Sequence, residues 1–431
     1  MNPVAETAGV PRLAARALPL SPLQTPLGTL GLPLLRPVLE KIRLNGGTLR
    51  LTGVLDAVLA AQAPTDEPLL QVTVQLHRPQ ALTALLMGGV LGFAESYLQG
   101  DWDCAQLTDL VQLMARNRTV LDQLNRSWPA RASGGVLRAW HARRRNSRSG
   151  SRANIQEHYD LSNDFFGLWL DEHWMYSSAV FTHPAQSLQE ASTHKLALIC
   201  TKLALCATDH VVEIGSGWGG FALYAARTTG CRVTTITISA AQYQLARQRV
   251  QAAGLQDRIE VLLCDYRDLT GQYDKLVSIE MVEAVGADYL PEYFARCKAL
   301  LKPNGRALIQ AITLEDTRYA QALQTVDFIK RYVFPGSFIP CNSVLVTAAA
   351  RAGLKLVGLQ DIGDSYALTL QHWRERFEAV LPQVQALGFD ERFIRLWRFY
   401  LSYCEGGFRE GVISDVQLLL DARMPAGTVQ P

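Results

Sequence analysis

The stretch that decides the fold is Val211-Val212-Glu213-Ile214-Gly215-Ser216-Gly217-Trp218-Gly219-Gly220: an apolar run, a cluster of glycines, then a helical pattern. Glycine at such a turn lets backbone approach a ligand closely, and the helix behind it presents unpaired N–H groups. Gly215 and Gly217 are therefore the first candidate binding residues. Outward from this turn the chain alternates strand and helix. Strands are predicted at 210–214, 232–238, 259–264, 275–279, 306–312 and 355–359, with a late strand at 415–420. Helices are predicted at 219–227, 240–253, 289–301 and 343–351. The alternation predicts a parallel α/β sheet with its site at the carboxyl ends of the strands. Leu301-Lys302-Pro303-Asn304-Gly305 reads as a helix stop before a strand.

The turn is not G-x-G-x-x-G, and no Lys-Ser/Thr follows it, which excludes a P-loop. The second strand ends in Thr237-Ile238-Ser239 with Gln242 beyond, rather than in the acid that holds a dinucleotide ribose. The third and fourth strands do end in acids, Cys264-Asp265-Tyr266 and Ser278-Ile279-Glu280. That polar edge suits a nucleoside better than NAD, and an S-adenosylmethionine methyltransferase is the expected class.

The 431 residues, 48% hydrophobic and 19% charged, suffice for two or three domains and exclude a disordered chain. No uninterrupted apolar run approaches the roughly 18 residues of a membrane span. The eight cysteines are scattered without a CxxC, so neither a metal site nor a disulfide framework is expected. Net charge is only +2, yet between Asp122 and Glu157 no acid accompanies eight arginines: Arg126, Arg131, Arg138, Arg143, Arg144, Arg145, Arg148 and Arg152. A one-sided stretch of this kind is expected to meet an anionic partner. The organisation read from the sequence is a loose tail (1–30), a small α+β domain (31–125), the arginine-rich linker (126–153), the α/β domain (154–423) and a short tail.

Several blocks, in order, resemble the cyclopropane-fatty-acyl-phospholipid synthase family. They are Leu91-Gly92-Phe93-Ala94-Glu95-Ser96-Tyr97-Leu98-Gln99-Gly100-Asp101-Trp102, then Ile155-Gln156-Glu157-His158-Tyr159-Asp160-Leu161 continuing to Phe166, and Met175-Tyr176-Ser177-Ser178-Ala179. The glycine turn, Thr237-Ile238-Ser239, Ile279-Glu280-Met281-Val282-Glu283-Ala284-Val285-Gly286, Tyr332-Val333-Phe334-Pro335-Gly336 and Tyr403-Cys404-Glu405-Gly406-Gly407-Phe408-Arg409 complete the match. The resemblance implies a Rossmann-like class I methyltransferase domain with a helical insertion behind a small α+β domain. It implies methyl transfer from S-adenosylmethionine to the cis double bond of phospholipid acyl chains, closing a cyclopropane ring. It places the protein in the cytoplasm, peripheral at the inner membrane surface, with no nucleic-acid partner, and is compatible with a homodimer. Same-scaffold alternatives are a methyl- or methylene-branched product, an amine substrate, or a non-catalytic lipid-binding subunit.

By the resemblance, Tyr176 and Ser177 lie at the methionine end of the cofactor, Gly215 and Gly217 along its backbone, Thr237, Ser239 and Gln242 at the ribose, and Tyr266 at the adenine. A bound bicarbonate ion is the implied base, held by Glu283, Tyr366 and the backbone of Ile312, with Cys404 as the family's late cysteine. Two positions depart from the pattern. Ser178 stands for the usual cysteine and Gln310 for the usual histidine, and neither can carry positive charge. Ring closure is therefore a weaker expectation than methyl transfer. Trp169, Trp174, Phe165 and Phe166 read as core or acyl-channel wall, and His158 and Tyr159 as a lid.

Overall fold

The computed structural model describes residues 39–61, 69–119 and 162–423. The arginine-rich linker, both tails, His158 and Tyr159 lie outside the described residues. The first unit contains β1 (Gly47–Gly53), β2 (Ala57–Leu59), β3 (Leu70–Leu76), α1 (Gln80–Leu98), β4 (Trp102–Asp103) and α2 (Leu107–Arg116). Strict alternation in Leu70–Leu76 buries Val72, Val74 and Leu76 on one face. β1 lies parallel to β3, while β2 and β4 pair antiparallel at the edges. α1 is kinked at Gly89 (φ 62°). By length and composition it could cross a membrane, with mean hydropathy 1.4, but half of it is buried against the protein.

The second unit runs α3 (Asn163–Gly167), α4 (Leu188–Leu203), β5 (His210–Ile214), α5 (Gly220–Thr229), β6 (Arg232–Thr237), α6 (Ala240–Ala252), β7 (Ile259–Leu263), β8 (Tyr273–Ile279), α7 (Leu290–Leu300), β9 (Leu301–Leu314), α8 (Tyr319–Gln324), α9 (Asn342–Arg351), β10 (Lys355–Asp361), α10 (Gly363–Ala379), α11 (Leu381–Ala386), α12 (Glu391–Arg409) and β11 (Ile413–Asp421). The sheet order is β10-β11-β9-β8-β5-β6-β7. β9 through β7 are parallel as expected, but β11 runs antiparallel to both β9 and β10. Alternation reports which face is buried, not strand direction, so the reversal was not legible in the pattern. Neighbours of β5 continue the chain on opposite sides, and this switch point opens a crevice at the strands' carboxyl ends.

α10, α11 and α12 form the helical insertion between β10 and β11. α12 joins the two units, because one apolar cluster runs from Leu44 through Trp102 and Phe165 to Phe408. Arg395 of α12 donates to the carbonyls of Tyr97 and Trp102 and to Asp103, with its guanidinium 3.9 Å from the Tyr97 ring centroid. Arg116 pairs with Glu410 at 3.0 Å. At the closest approach, a Cβ on Gly406 would stand 2.7 Å from Val111 Cγ1 and 3.1 Å from the carbonyl of Thr108. Gly406→Val should therefore lower stability by about 1–3 kcal/mol through overpacking. Urea denaturation measures this, and a wild-type midpoint would mean that the two units are less tightly joined than described.

Candidate active site

The glycine turn supplies the binding end of the crevice. Gly215, Gly217 and Gly219 have φ of 95°, 48° and 85°, a region that side chains disfavour. A Cβ on Gly217 would meet nothing within 4 Å and would project into open cavity. Thr237 Oγ1 donates to Gln242 Oε1 at 2.9 Å, which turns the amide nitrogen of Gln242 toward the cavity. Tyr266 lines the same end, beside the tight Asp265–Arg267 pair (2.7 Å). Tyr176 and Ser177 line the wall where this end meets the centre. These groups fit a nucleoside with a short polar chain. Ser239 differs from expectation: it is not on the cavity wall, and its hydroxyl accepts from Gln242 N to cap α6.

At the centre is a residue that the sequence reading quoted but did not select. Glu280 follows β8 with φ 49°, one of three non-glycine residues in the left-handed region among the described residues. Such strain persists only where surroundings hold it, and it clusters at functional sites. Glu280 Oε1 accepts from Ser178 N (2.7 Å) and Gln310 Nε2 (2.7 Å), and Oε2 accepts from Tyr366 OH (2.7 Å). One of these donors, Tyr366, was expected to hold bicarbonate, and the other two come from the positions that depart from the family pattern. The residues present do not fit that ion, because the Glu280 carboxyl takes its place. Ser178 contributes its backbone, since its hydroxyl donates to the Ala179 carbonyl. Ser178 and Gln310 stand behind Glu280 rather than on the cavity wall.

Glu283 and Ile312, two of the groups expected around the ion, bond directly to each other, Ile312 N donating to Glu283 Oε1, and Tyr366 does not join them. A third carboxyl, Asp415, accepts from the same Gln310 Nε2 at 2.9 Å. Burial pushes all three carboxyls up, Glu283 to about 8 and Asp415 well above its ordinary value. Three donors converge on Glu280, against two backbone N–H groups on Glu283, its own and that of Ile312, and Gln310 Nε2 on Asp415. Of the three, Glu280 is the one best placed to carry negative charge, while burial and the neighbouring carboxyls favour the protonated forms of Glu283 and Asp415. Lys195, fully buried, donates to Ser177 Oγ (2.8 Å); desolvation lowers it to about 8, opposed first by Glu280. Tyr366 stays a phenol, raised by burial and by Glu280.

One cavity of about 780 Å³ spans the glycine turn and this centre and extends to the first unit. Leu91, Phe93, Met114, Phe328, Phe399 and Phe408 line its apolar arm. The block 91–102 thus has a role that periodicity did not disclose. Its Glu95 also binds Arg331 and the Tyr332 hydroxyl, both at 2.8 Å, joining two of the quoted blocks. Cys404 lies on this arm with no hydrogen bond to the carboxyls, a thiol pushed up by burial. Trp174 lines the cavity, whereas Phe165, Phe166 and Trp169 are core.

Sheet order, glycine turn and nucleoside pocket together define a class I S-adenosylmethionine-dependent methyltransferase. The family described as mycolic acid cyclopropane synthetase matches residues 146–418, and the chain belongs to it. The tuberculostearic acid methyltransferase of Mycobacterium tuberculosis is 39% identical over 80% of this chain and 82% of its own. The cyclopropane-fatty-acyl-phospholipid synthase of Escherichia coli strain K12 is 35% identical over 80% of this chain and 86% of its own. A mycolic acid cyclopropane synthase solved in complex with SAH and CTAB superposes with a TM-score of 0.59 at 30% identity, covering 63% of this chain and 98% of that one. The chain is a lipid-modifying methyltransferase that uses S-adenosylmethionine.

Glu213 shares the raised state of Glu283, pushed to about 8 by burial. Both hold a proton in the folded protein that the unfolded chain releases above about 4.3. Their stabilising effect is complete below that value and is lost as pH rises toward 8, by up to about 1.4 kcal/mol per pH unit for each group. Glu283→Gln removes one of these slopes. Urea midpoints taken across this window check it, and a variant as steep as wild type would show Glu283 to be ionised.

Proposed function

We propose that the protein transfers the methyl group of S-adenosylmethionine to a double-bond carbon of an unsaturated phospholipid acyl chain and leaves a methylene branch. The observation that carries this reading is the Glu280 carboxyl in the place expected for a bicarbonate base. Similarity to a tuberculostearic acid methyltransferase supports a branched product, while similarity to a ring-forming synthase supports the shared first step.

S-adenosylmethionine, when bound, supplies an electrophilic methyl on a sulfonium. The apolar arm lays the alkene against it and keeps water from the carbocation that forms on the neighbouring chain carbon. Glu280, the one ionised carboxyl, stabilises that cation in low dielectric. Its donors occupy both oxygens and restrain its attack on the methyl proton. Hydride from the methylated carbon then shifts to the cation and gives a tertiary centre. Glu280 takes a proton from the methyl, and the electron pair of that C–H bond forms the C=CH2 double bond of the methylene branch. Faster proton removal would instead close a ring.

Lipids from cells expressing the protein with a labelled methyl donor test the product. A labelled chain heavier by one CH2 that still takes up hydrogen is expected; one that resists mild hydrogenation would assign a cyclopropane. Glu280→Gln should lower turnover about 10²–10⁴-fold, the usual range for a general base, with cofactor affinity little changed. Glu283→Gln, replacing a group already neutral, should stay within about tenfold of wild type. The reverse ranking would return the catalytic role to Glu283.

The acid-free linker is the proposed contact with anionic lipid at the inner membrane surface. Replacing Arg143, Arg144 and Arg145 by Gln should weaken sedimentation with phosphatidylglycerol vesicles about 100-fold, at about 1 kcal/mol per charge. Unchanged binding would move the contact elsewhere.

A further inference from the structure

Gln310 is fully buried between two carboxyls, and an amide fits such a place either way round. With Nε2 inward it donates to Glu280 and favours the ionised base. With Oε1 inward it would demand a proton on Glu280. The two orientations are nearly equal in shape, so the choice rests on what the outer end of the amide meets.

Strand register supplies the answer. Gln310 of β9 is the partner of Gln417 on β11, and Gln417 Nε2 donates to Gln310 Oε1 at 3.0 Å. The Gln417 carbonyl oxygen in turn accepts from Lys202 Nζ at 2.7 Å. Lys202 stands on α4 two turns beyond Lys195, on the same helix face. Lysine has three donors and no acceptor, so Gln417 must offer it oxygen and must turn its own N–H outward to Gln310. Gln310 is then obliged to present N–H to Glu280. No carboxylate neutralises Lys202 among the described ion pairs. A half-buried ammonium resting on one amide oxygen is a costly arrangement to keep without a use.

We propose that Lys202, Gln417 and Gln310 form a polarised relay that fixes the orientation of the Gln310 amide and thereby keeps Glu280 ionised. Lys202 is a positioning residue for methyl transfer that never reaches the cavity. This inference rests on Glu280 being the base. The other groups facing Glu280 are the Ser178 N–H from the loop before α4, Lys195 of α4, the Glu283 carboxyl after β8, Asp415 of β11 and Tyr366 of α10. All of them remain when Lys202 is changed. Lys202 itself is shifted only by desolvation, with no charged neighbour contributing.

The test is the pH dependence of kcat/KM for Lys202→Met, Gln417→Leu and Lys202→Arg, with dioleoylphosphatidylglycerol vesicles and methyl-labelled S-adenosylmethionine. Lys202→Met and Gln417→Leu should raise the acid limb by about one pH unit. Activity below the limb then falls about tenfold and recovers above it. KM for S-adenosylmethionine should not change. Lys202→Arg, which also only donates, should restore the wild-type limb; if Lys202→Met does not fold, Gln417→Leu breaks the relay from within the sheet. Limbs of Lys202→Met and Gln417→Leu that superimpose on wild type, while Glu280→Gln is inactive, overturn the relay and leave the base standing. Full turnover in Glu280→Gln would instead overturn the base reading itself.

Discussion

A carboxylate on the wall of a largely apolar cavity keeps its charge best where donors are aimed at it, and the rest of this site depends on the three that converge on Glu280. They come from separate places: the loop before α4, strand β9 and helix α10. Their meeting at one side chain ties the helical insertion and the loop to the end of β8. It also sets the protonation of the neighbourhood. Once Glu280 holds the charge, a second or third charge beside it would be unfavourable, so Glu283 and Asp415 remain neutral and Tyr366 remains a phenol.

The two ends of the cavity serve opposite requirements. At the glycine turn, backbone and amide groups face a polar nucleoside. Toward the first unit the wall turns apolar, with Phe93 and Met114 facing Phe328 and Phe399. The charged carboxyl is at the boundary, where a sulfonium methyl and an alkene would meet. Because the first unit shares its core with α12, the same packing that stabilises the fold closes the apolar arm. Arg395 and the Arg116–Glu410 pair fix that closure from the outer side.

Much of this was legible in the sequence. The strands at 210–214 and 232–237 were readable as short β-rich runs, buried on both faces and bounded by turn residues. The glycine turn was readable because glycine takes such positive φ values at the least cost. Strand direction at β11 was not, since alternation is the same in either direction. Glu280 was missed for a related reason: as an acid ending an apolar run it read as part of a polar edge for a nucleoside. Its partners lie 102, 30 and 86 residues away, so no local spacing shows them. A signal was nonetheless present. The two departures from the family pattern, Ser178 and Gln310, both touch this carboxyl. Two simultaneous losses at positions expected to hold one ion point to a third residue that replaces the ion.

That replacement links the chemistry of the base to the closure of the cavity. A methyl group beside a cationic carbon is a very strong acid, so basicity is not what limits its deprotonation. Reach and freedom of the base decide the timing. A small ion could follow the methyl, whereas a side chain held by three donors on a strained backbone cannot. Slower proton removal lets a hydride migrate first, because that step needs no partner and leads to a more substituted cation. The longer the cation lasts, however, the more damaging one water molecule becomes, since capture would end the reaction as an alcohol. A tethered base thus requires a drier site than a mobile one would. In the proposed reaction the apolar arm completed by the first unit would meet that requirement and give a domain without catalytic side chains a direct part in choosing the product.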